Sequence, residues 1–390
     1  MMVNYPLALD SWDQEEKNAL YSVIDSGLFT MGSKVKDFES AISDYFGNKH
    51  TIMVNSGSSA NLIMLTALKV IHGESWPEDA EVIVPAISWS TTYTPLYYLG
   101  LKPVYVDVDP VNFGINVQLL EDALSPKTVA LLAVNILGQP ANLKVLKNFC
   151  EEKSITLLED NCESLGATVD GKFTGRFGLA SSHSSFYSHH LATMEGGWIS
   201  TDSDEFADVC RSLRAHGWIR ETSSEFKKKF ETGDPFKDLF HFILPGLNFR
   251  PIEMEGALGV VQLSKLDSML KVRRENAKTF KSLFSNSDYA EIQGGSGDSS
   301  WFAFALILKG NLRGRRSEVA SKLLERGIQS RPLIAGNFTQ QPVNYYLGGR
   351  ISGSLTVADN IHVNGMYLGN HPKLLTKELE VAHDIISKIN

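Results

Sequence analysis

The sequence predicts an α/β fold: a large, mixed, mostly parallel sheet domain followed by a small C-terminal α/β domain. Two observations carry this. Between Thr51 and Leu158 short apolar runs alternate with helical patterns, and such alternation implies right-handed strand–helix–strand units. One long helical pattern then separates this region from a shorter one with its own strand and helices.

Taken in order, Ser11 followed by Gln14 reads as a capping box; Leu20, Val23 and Ile24 form a helical stripe that Gly27 closes. A second helix starts near Ser33, with Val35, Phe38, Ile42, Tyr45 and Phe46 on one face and Gly47 at its end. Candidate strands are Thr51–Val54, Val82–Val84, Val104–Val108, Ala130–Val134 and Ile155–Leu158, with helices beginning near Ser59, Ser90, Val117 and Leu143. The long helix runs from Ile252 to Phe284 through Leu263, Leu266 and Leu270, and Gly294, Gly295 and Gly297 mark the loop after it. Trp301–Leu308 reads as a strand, Ser317–Arg326 as a helix and Lys377–Ile389 as a closing helix. Three units are expected: a large domain over 1–250, a bridging helix over 251–285 and a small domain over 286–390.

The chain has 390 residues, 43% of them hydrophobic, enough for a large core. Its net charge of -8 comes without a basic stripe, so a small molecule reached through a local positive pocket is expected rather than nucleic acid. No stretch approaches the ~18 apolar residues of a membrane span, and the N-terminus has no charged-then-apolar leader, so a cytoplasmic protein is expected. Cys150, Cys162 and Cys210 are odd in number and scattered. Neither a disulfide framework nor a zinc or iron–sulfur site, which needs about four ligands, is expected from them.

Three stretches could carry chemistry. Asn55-Ser56-Gly57-Ser58-Ser59-Ala60-Asn61 follows a strand and opens a helix, either as a phosphate cradle or as an ordinary serine-capped helix. Glu159-Asp160 ends a buried strand, on the edge where parallel sheets bind ligands; an aspartate there either holds a protonated ring nitrogen or forms a buried ion pair. The run Ser184 to Gly197 contains Ser188-His189-His190, and no ligand spacing around it completes a metal site. Acid–base chemistry or packing remains for the histidines.

The succession Ser-Gly-Ser-Ser-Ala-Asn, Val84-Pro85-Ala86-Ile87-Ser88-Trp89, Glu159-Asp160 and Glu195-Gly196-Gly197 resembles the DegT/DnrJ family of nucleotide-sugar aminotransferases. Pro245 to Arg250 and Glu255 to Gly259 look like the same family's later signature. The resemblance spans nearly the whole chain. It implies the fold type I aminotransferase architecture, the cofactor pyridoxal 5'-phosphate (PLP) with its amine form pyridoxamine 5'-phosphate (PMP), and a homodimer with shared active sites. Carried onto this chain, it implies that Gly57, Ser58 and Ser184 hold the cofactor phosphate, with Asn248 reaching in from the second subunit. Trp89 is expected to stack on the ring, Asp160 to pair with its nitrogen, and Glu163 to stand where the family commonly has glutamine.

The larger departure is the cofactor lysine. Six residues before the acidic residue of Glu195-Gly196-Gly197 stands His189, or His190 if the register slips by one, and no lysine occurs between Lys172 and Lys227. This is similar to the family's 3-dehydrases of nucleotide-linked 4-keto-6-deoxyhexoses, which share Phe186-Tyr187-Ser188-His189-His190 and Ser299-Ser300-Trp301-Phe302 with this chain. Imidazole cannot hold the cofactor aldehyde covalently, yet with an ordinary pKa of about 6.5 it can move protons near neutrality. The resemblance therefore implies loss of the C3 hydroxyl from a substrate such as GDP-4-keto-6-deoxymannose. Glutamate would regenerate the amine cofactor, and ammonia and a 3,6-dideoxy-4-keto sugar would be released. Arg220 and Arg331 are candidates for a carboxylate or diphosphate, and His216 for the neighbouring active site. The rival readings are a 4-aminotransferase and a non-catalytic PLP-binding regulatory protein.

Overall fold

The computed structural model describes residues 2–389. Helix α1 spans Gln14–Ser26 and α2 spans Ser33–Phe46. The capping box of α1 is Asp13 with Glu16, not Ser11 with Gln14: Asp13 accepts from Glu15 N and Glu16 accepts from Asp13 N, both at 2.8 Å. Ser11 is drawn away because its hydroxyl donates to Gln262 Oε1 at 3.0 Å, a contact 251 residues distant. Buried Glu16 also accepts from Lys265 and Gln262, tying α1 to the long helix Glu253–Phe284.

The N-cap of α2, Gly32, has no side chain, so its first-turn donors must be met from elsewhere. Buried Glu253 accepts from Gly32 N (2.7 Å), Lys34 N (2.9 Å) and Val35 N (3.1 Å). Glu253→Ala orphans those donors and should lower unfolding stability by about 2 kcal/mol, read as a reduced urea midpoint at unchanged slope.

Among the described residues fourteen strands form the sheets. They are β1 (His50–Val54), β2 (Glu81–Pro85), β3 (Lys102–Val106), β4 (Thr128–Val134), β5 (Thr156–Asp160), β6 (Thr168–Val169) and β7 (Lys172–Phe173). Then come β8 (Ala180–Ser184), β9 (Gly197–Thr201), β10 (Ala290–Ile292), β11 (Ala303–Leu308), β12 (Ser330–Pro332), β13 (Arg350–Ile351) and β14 (Gly365–Gly369). The large sheet runs β1-β9-β8-β5-β4-β2-β3-β13. β9 is antiparallel to both its neighbours, and every other pairing is parallel.

Helix α3 (Gly57–His72) covers one face of this sheet, helix Leu143–Lys153 the other, and α4 (Ser90–Tyr98) packs beside α3. Strand β8, Ala-Ser-Ser-His-Ser, is too polar to be legible as a strand, yet all five residues are buried. Their polar atoms are met internally: Ser181 donates to Gly175 O at 2.7 Å, and the His183 ring stacks on Trp198 at 4.9 Å.

The C-terminal region forms the sheet β10-β11-β14-β12, packed on the end of the long helix through Phe280, Phe284, Leu306 and Leu379. Two segments cross the boundaries expected at 250 and 285. Tyr5 is buried in this C-terminal core and donates to Gly369 O, whereas β13 leaves it to pair with β3 of the large sheet. Both exchanges join elements more than 200 residues apart, which no local pattern encodes.

Candidate active site

A cavity of about 630 Å³ opens where β4, β5 and β8 end, walled by Val134, Asp160 and Ser184 on one side and by Phe302, Arg331 and Tyr367 on the other. Gly57, Ser58, Trp89, Glu163 and His189 complete the expected residues that line it. Asn248, His216 and Arg220 lie outside this lining. Asn248 is exposed and accepts from Arg250 Nε at 3.0 Å. His216 and Arg220 flank the Trp218 ring at 5.1 and 5.2 Å.

The Ser-Gly-Ser-Ser motif is the first turn of α3, where the positive end of the helix favours an anion. Ser56 caps it through Ser59 N at 3.1 Å. Gly57 must be glycine, since a Cβ there would meet Ser184 Cβ at 2.7 Å. Gly197 is under the same constraint, its Cβ position lying 2.5 Å from Gly57 N. The cradle and the histidine loop can therefore touch only through two glycines.

Strand alternation separates the adjacent acids. Glu159 is turned out of the cavity, where it accepts from the N–H groups of Gly175, Phe177 and Gly178. Asp160 faces the cavity and is 5% exposed. Its Oδ2 accepts from Thr92 Oγ1 at 2.7 Å and Asn61 Nδ2 at 2.9 Å, and its Oδ1 from Cys162 N at 3.3 Å. Among the described residues no lysine, arginine or histidine pairs with it.

The loop between β8 and β9 is stapled by Ser185 N to Gly196 O (3.0 Å) and Thr193 N to Ser185 O (2.9 Å). This register brings His189 to the cavity, its ring edge-on to Phe302 at 5.1 Å and Phe186 at 6.0 Å. His190 points into the core, 2% exposed, with Nε2 at 3.2 Å from Ser300 O. Burial, reinforced by the Arg273 guanidinium, pushes His189 down to about 4, and its Nδ1 is buried without a partner. That is below the ordinary value of about 6.5 and favours the neutral imidazole. Burial raises Glu163 to about 7, helped by the nearby Asp160 charge and opposed by a 2.9 Å bond from Leu137 N.

Thr92 and Tyr367 lie outside the stretches singled out in the sequence, and Asn61, inside one of them, partners Asp160. Asn61 had a signal, a polar residue at the head of the apolar run Leu62-Ile63-Met64; Tyr367 lay on a strand that went unread. Among the described residues no cluster of His, Cys, Asp or Glu could hold a metal ion, and no helix is long and apolar enough to cross a membrane.

The donor set fits a pyridine cofactor with a phosphate arm. A helix N-terminus with hydroxyls suits the phosphate. The buried Asp160 carboxylate lacks a cation, and burying a lone charge is costly, so it suits a protonated ring nitrogen. His189, which lines the same cavity, brings an imidazole to the space such a ligand would fill.

Comparison with known proteins places the chain as a whole. A model of the DegT/DnrJ/EryC1/StrS aminotransferase family matches residues 10–388. The GDP-4-keto-6-deoxy-D-mannose 3-dehydratase of Yersinia pseudotuberculosis is 45% identical over 393 residues, covering 100% of this chain and 99% of that protein. A crystal structure of GDP-4-keto-6-deoxymannose-3-dehydratase, a mutant with bound GDP-perosamine, superposes with a TM-score of 0.94 at 41% identity over 98% of this chain and 100% of that one. Another, with a trapped PLP-glutamate geminal diamine, gives 0.92 at 40% identity over 98% and 100%. The architecture is therefore the PLP-dependent aminotransferase fold, and the chain belongs to the DegT/DnrJ/EryC1/StrS aminotransferase family.

Proposed function

We propose that the chain is a PLP-dependent 3-dehydratase that removes the C3 hydroxyl of GDP-4-keto-6-deoxymannose, with glutamate as the amino donor. The observation that carries this is His189: a neutral imidazole lines the cavity at the position the family's lysine motif assigns. The full-length 45% identity to a dehydratase of that substrate supports it.

When bound, PMP supplies the amine that condenses with the C4 ketone and an electron sink in its ring. The chain's own residues divide the remaining work. Gly57, Ser58 and Ser184 hold the phosphate, joined by Asn248 of a second subunit. Trp89, 60% exposed at the cavity mouth, offers its face to the ring. Asp160 holds the proton on the ring nitrogen, and Glu163, protonated for part of the time near neutrality, offers the phenolic oxygen a donor as glutamine does. His189 takes a proton at C4' of the cofactor and delivers one to the departing C3 hydroxyl. Arg331 binds a carboxylate or phosphate, while His216 and Arg220 serve the neighbouring subunit's site in a cytoplasmic homodimer.

With no lysine to capture the unsaturated product, it leaves and hydrolyses. In sum, the keto sugar and glutamate become the 3,6-dideoxy-4-keto sugar, 2-oxoglutarate and ammonia; the C3–O bond breaks, the sugar is reduced and glutamate oxidised. Incubation with PLP, glutamate and GDP-4-keto-6-deoxymannose should release ammonia and 2-oxoglutarate in equal amounts. A 4-amino sugar without ammonia, or covalent fixing of the cofactor to a lysine by borohydride, contradicts the reading.

A further inference from the structure

We propose that Thr92 and Asn61 are positioning residues: together they lock Oδ2 of Asp160 so that Oδ1 is presented to the cofactor's ring nitrogen. This rests on the reading above that Asp160 pairs with that nitrogen. Thr92 on α4 is 0% exposed and Asn61 on α3 is 2% exposed, and both aim donors at one carboxylate oxygen, at 2.7 and 2.9 Å.

Each donor is itself fixed from behind. Thr92 spends its proton on Asp160, so the hydroxyl of Ser88, 2.7 Å away, must donate to Thr92. Ser182 Oγ donates to Asn61 Oδ1 at 2.6 Å, which orients the amide with its NH₂ toward Asp160. Two relays, Ser88 through Thr92 and Ser182 through the Asn61 amide, thus converge on Oδ2. Among the described residues Oδ1 accepts the long 3.3 Å bond from Cys162 N and keeps capacity for a donor in the cavity. Helix-face positions this deeply buried ordinarily carry apolar side chains, and neither residue is needed to cap a helix end. Their joint geometry serves the carboxylate.

The test uses the full-length protein reconstituted with PLP. Thr92→Val should lower kcat by roughly tenfold, the scale of one hydrogen bond to a charged group, with KM for the nucleotide sugar within about twofold. The pH midpoint of the bound cofactor's absorbance should move, and Thr92→Ser should restore both. Asn61→Ala, which removes the other donor, should move the midpoint and kcat in the same sense. In an Asp160→Asn background, Thr92→Val should have no further effect on the spectrum, because the two act as one unit. If Thr92→Val and Asn61→Ala lower only Tm and leave spectrum and kcat unchanged, or if Thr92→Val costs as much in the Asp160→Asn background, the proposal is wrong while the functional reading stands. A wild-type protein that develops no cofactor band overturns both.

Discussion

Replacing His189 with asparagine should cut ammonia release by roughly a hundred- to ten-thousandfold, the contribution of a positioned acid–base group, while KM for the sugar changes little. The asparagine fills a similar space but accepts no proton at working pH. His190→Asn should retain most turnover and instead lower Tm, because that ring is buried against Phe302 and reaches only Ser300 O. Equal losses at both positions would defeat the assignment. The pH profile offers a second check. His189 in the folded chain lies near 4, below the ordinary 6.5, so folding keeps it neutral where the unfolded chain protonates. The stability this site contributes is present above about pH 6.5 and is lost as pH falls toward 4. His189→Asn should remove part of that acid sensitivity, measured as Tm against pH without cofactor.

Asp160→Asn should lower turnover by roughly a hundred- to a thousandfold, as expected for removal of a preorganised charge facing the reacting system. Its stability signature is more telling. Without cofactor the carboxylate is buried and faces only neutral donors, Thr92, Asn61 and the Cys162 N–H. The isosteric amide relieves that uncompensated charge, so the apo variant should melt at or above the wild-type Tm. Adding PLP should stabilise the wild type more than the variant, since ligand binding raises stability with the logarithm of the affinity. Parallel shifts in both proteins would mean that Asp160 does not pair with the cofactor.

Much of the scaffold was legible because its signals are local. The stripe Val35, Phe38, Ile42, Phe46 and the apolar cores of β1 to β5 are periodic patterns that survive in isolation, and each was placed within a few residues of where it lies. Ser-Gly-Ser-Ser after a strand and Glu159-Asp160 at a strand end were legible for the same reason. Strand β8 was not, because buried hydrogen bonds satisfy a sequence that reads as a polar loop. The cap of α1 was misplaced by two residues because Ser11 bonds across the fold to Gln262 instead of locally.

By itself the sequence determined the family and the missing lysine, and with it the class of chemistry, since a covalent anchor depends on residue identity alone. Tertiary structure decided which of two adjacent histidines faces the cavity. That choice lies in the Ser185, Thr193 and Gly196 bonds that set the loop's register, and a one-residue slip would exchange the two rings. It also biases the imidazole toward its neutral form, because the depression of His189 toward 4 comes from burial beside Phe186 and Phe302 and from Arg273 on a distant helix.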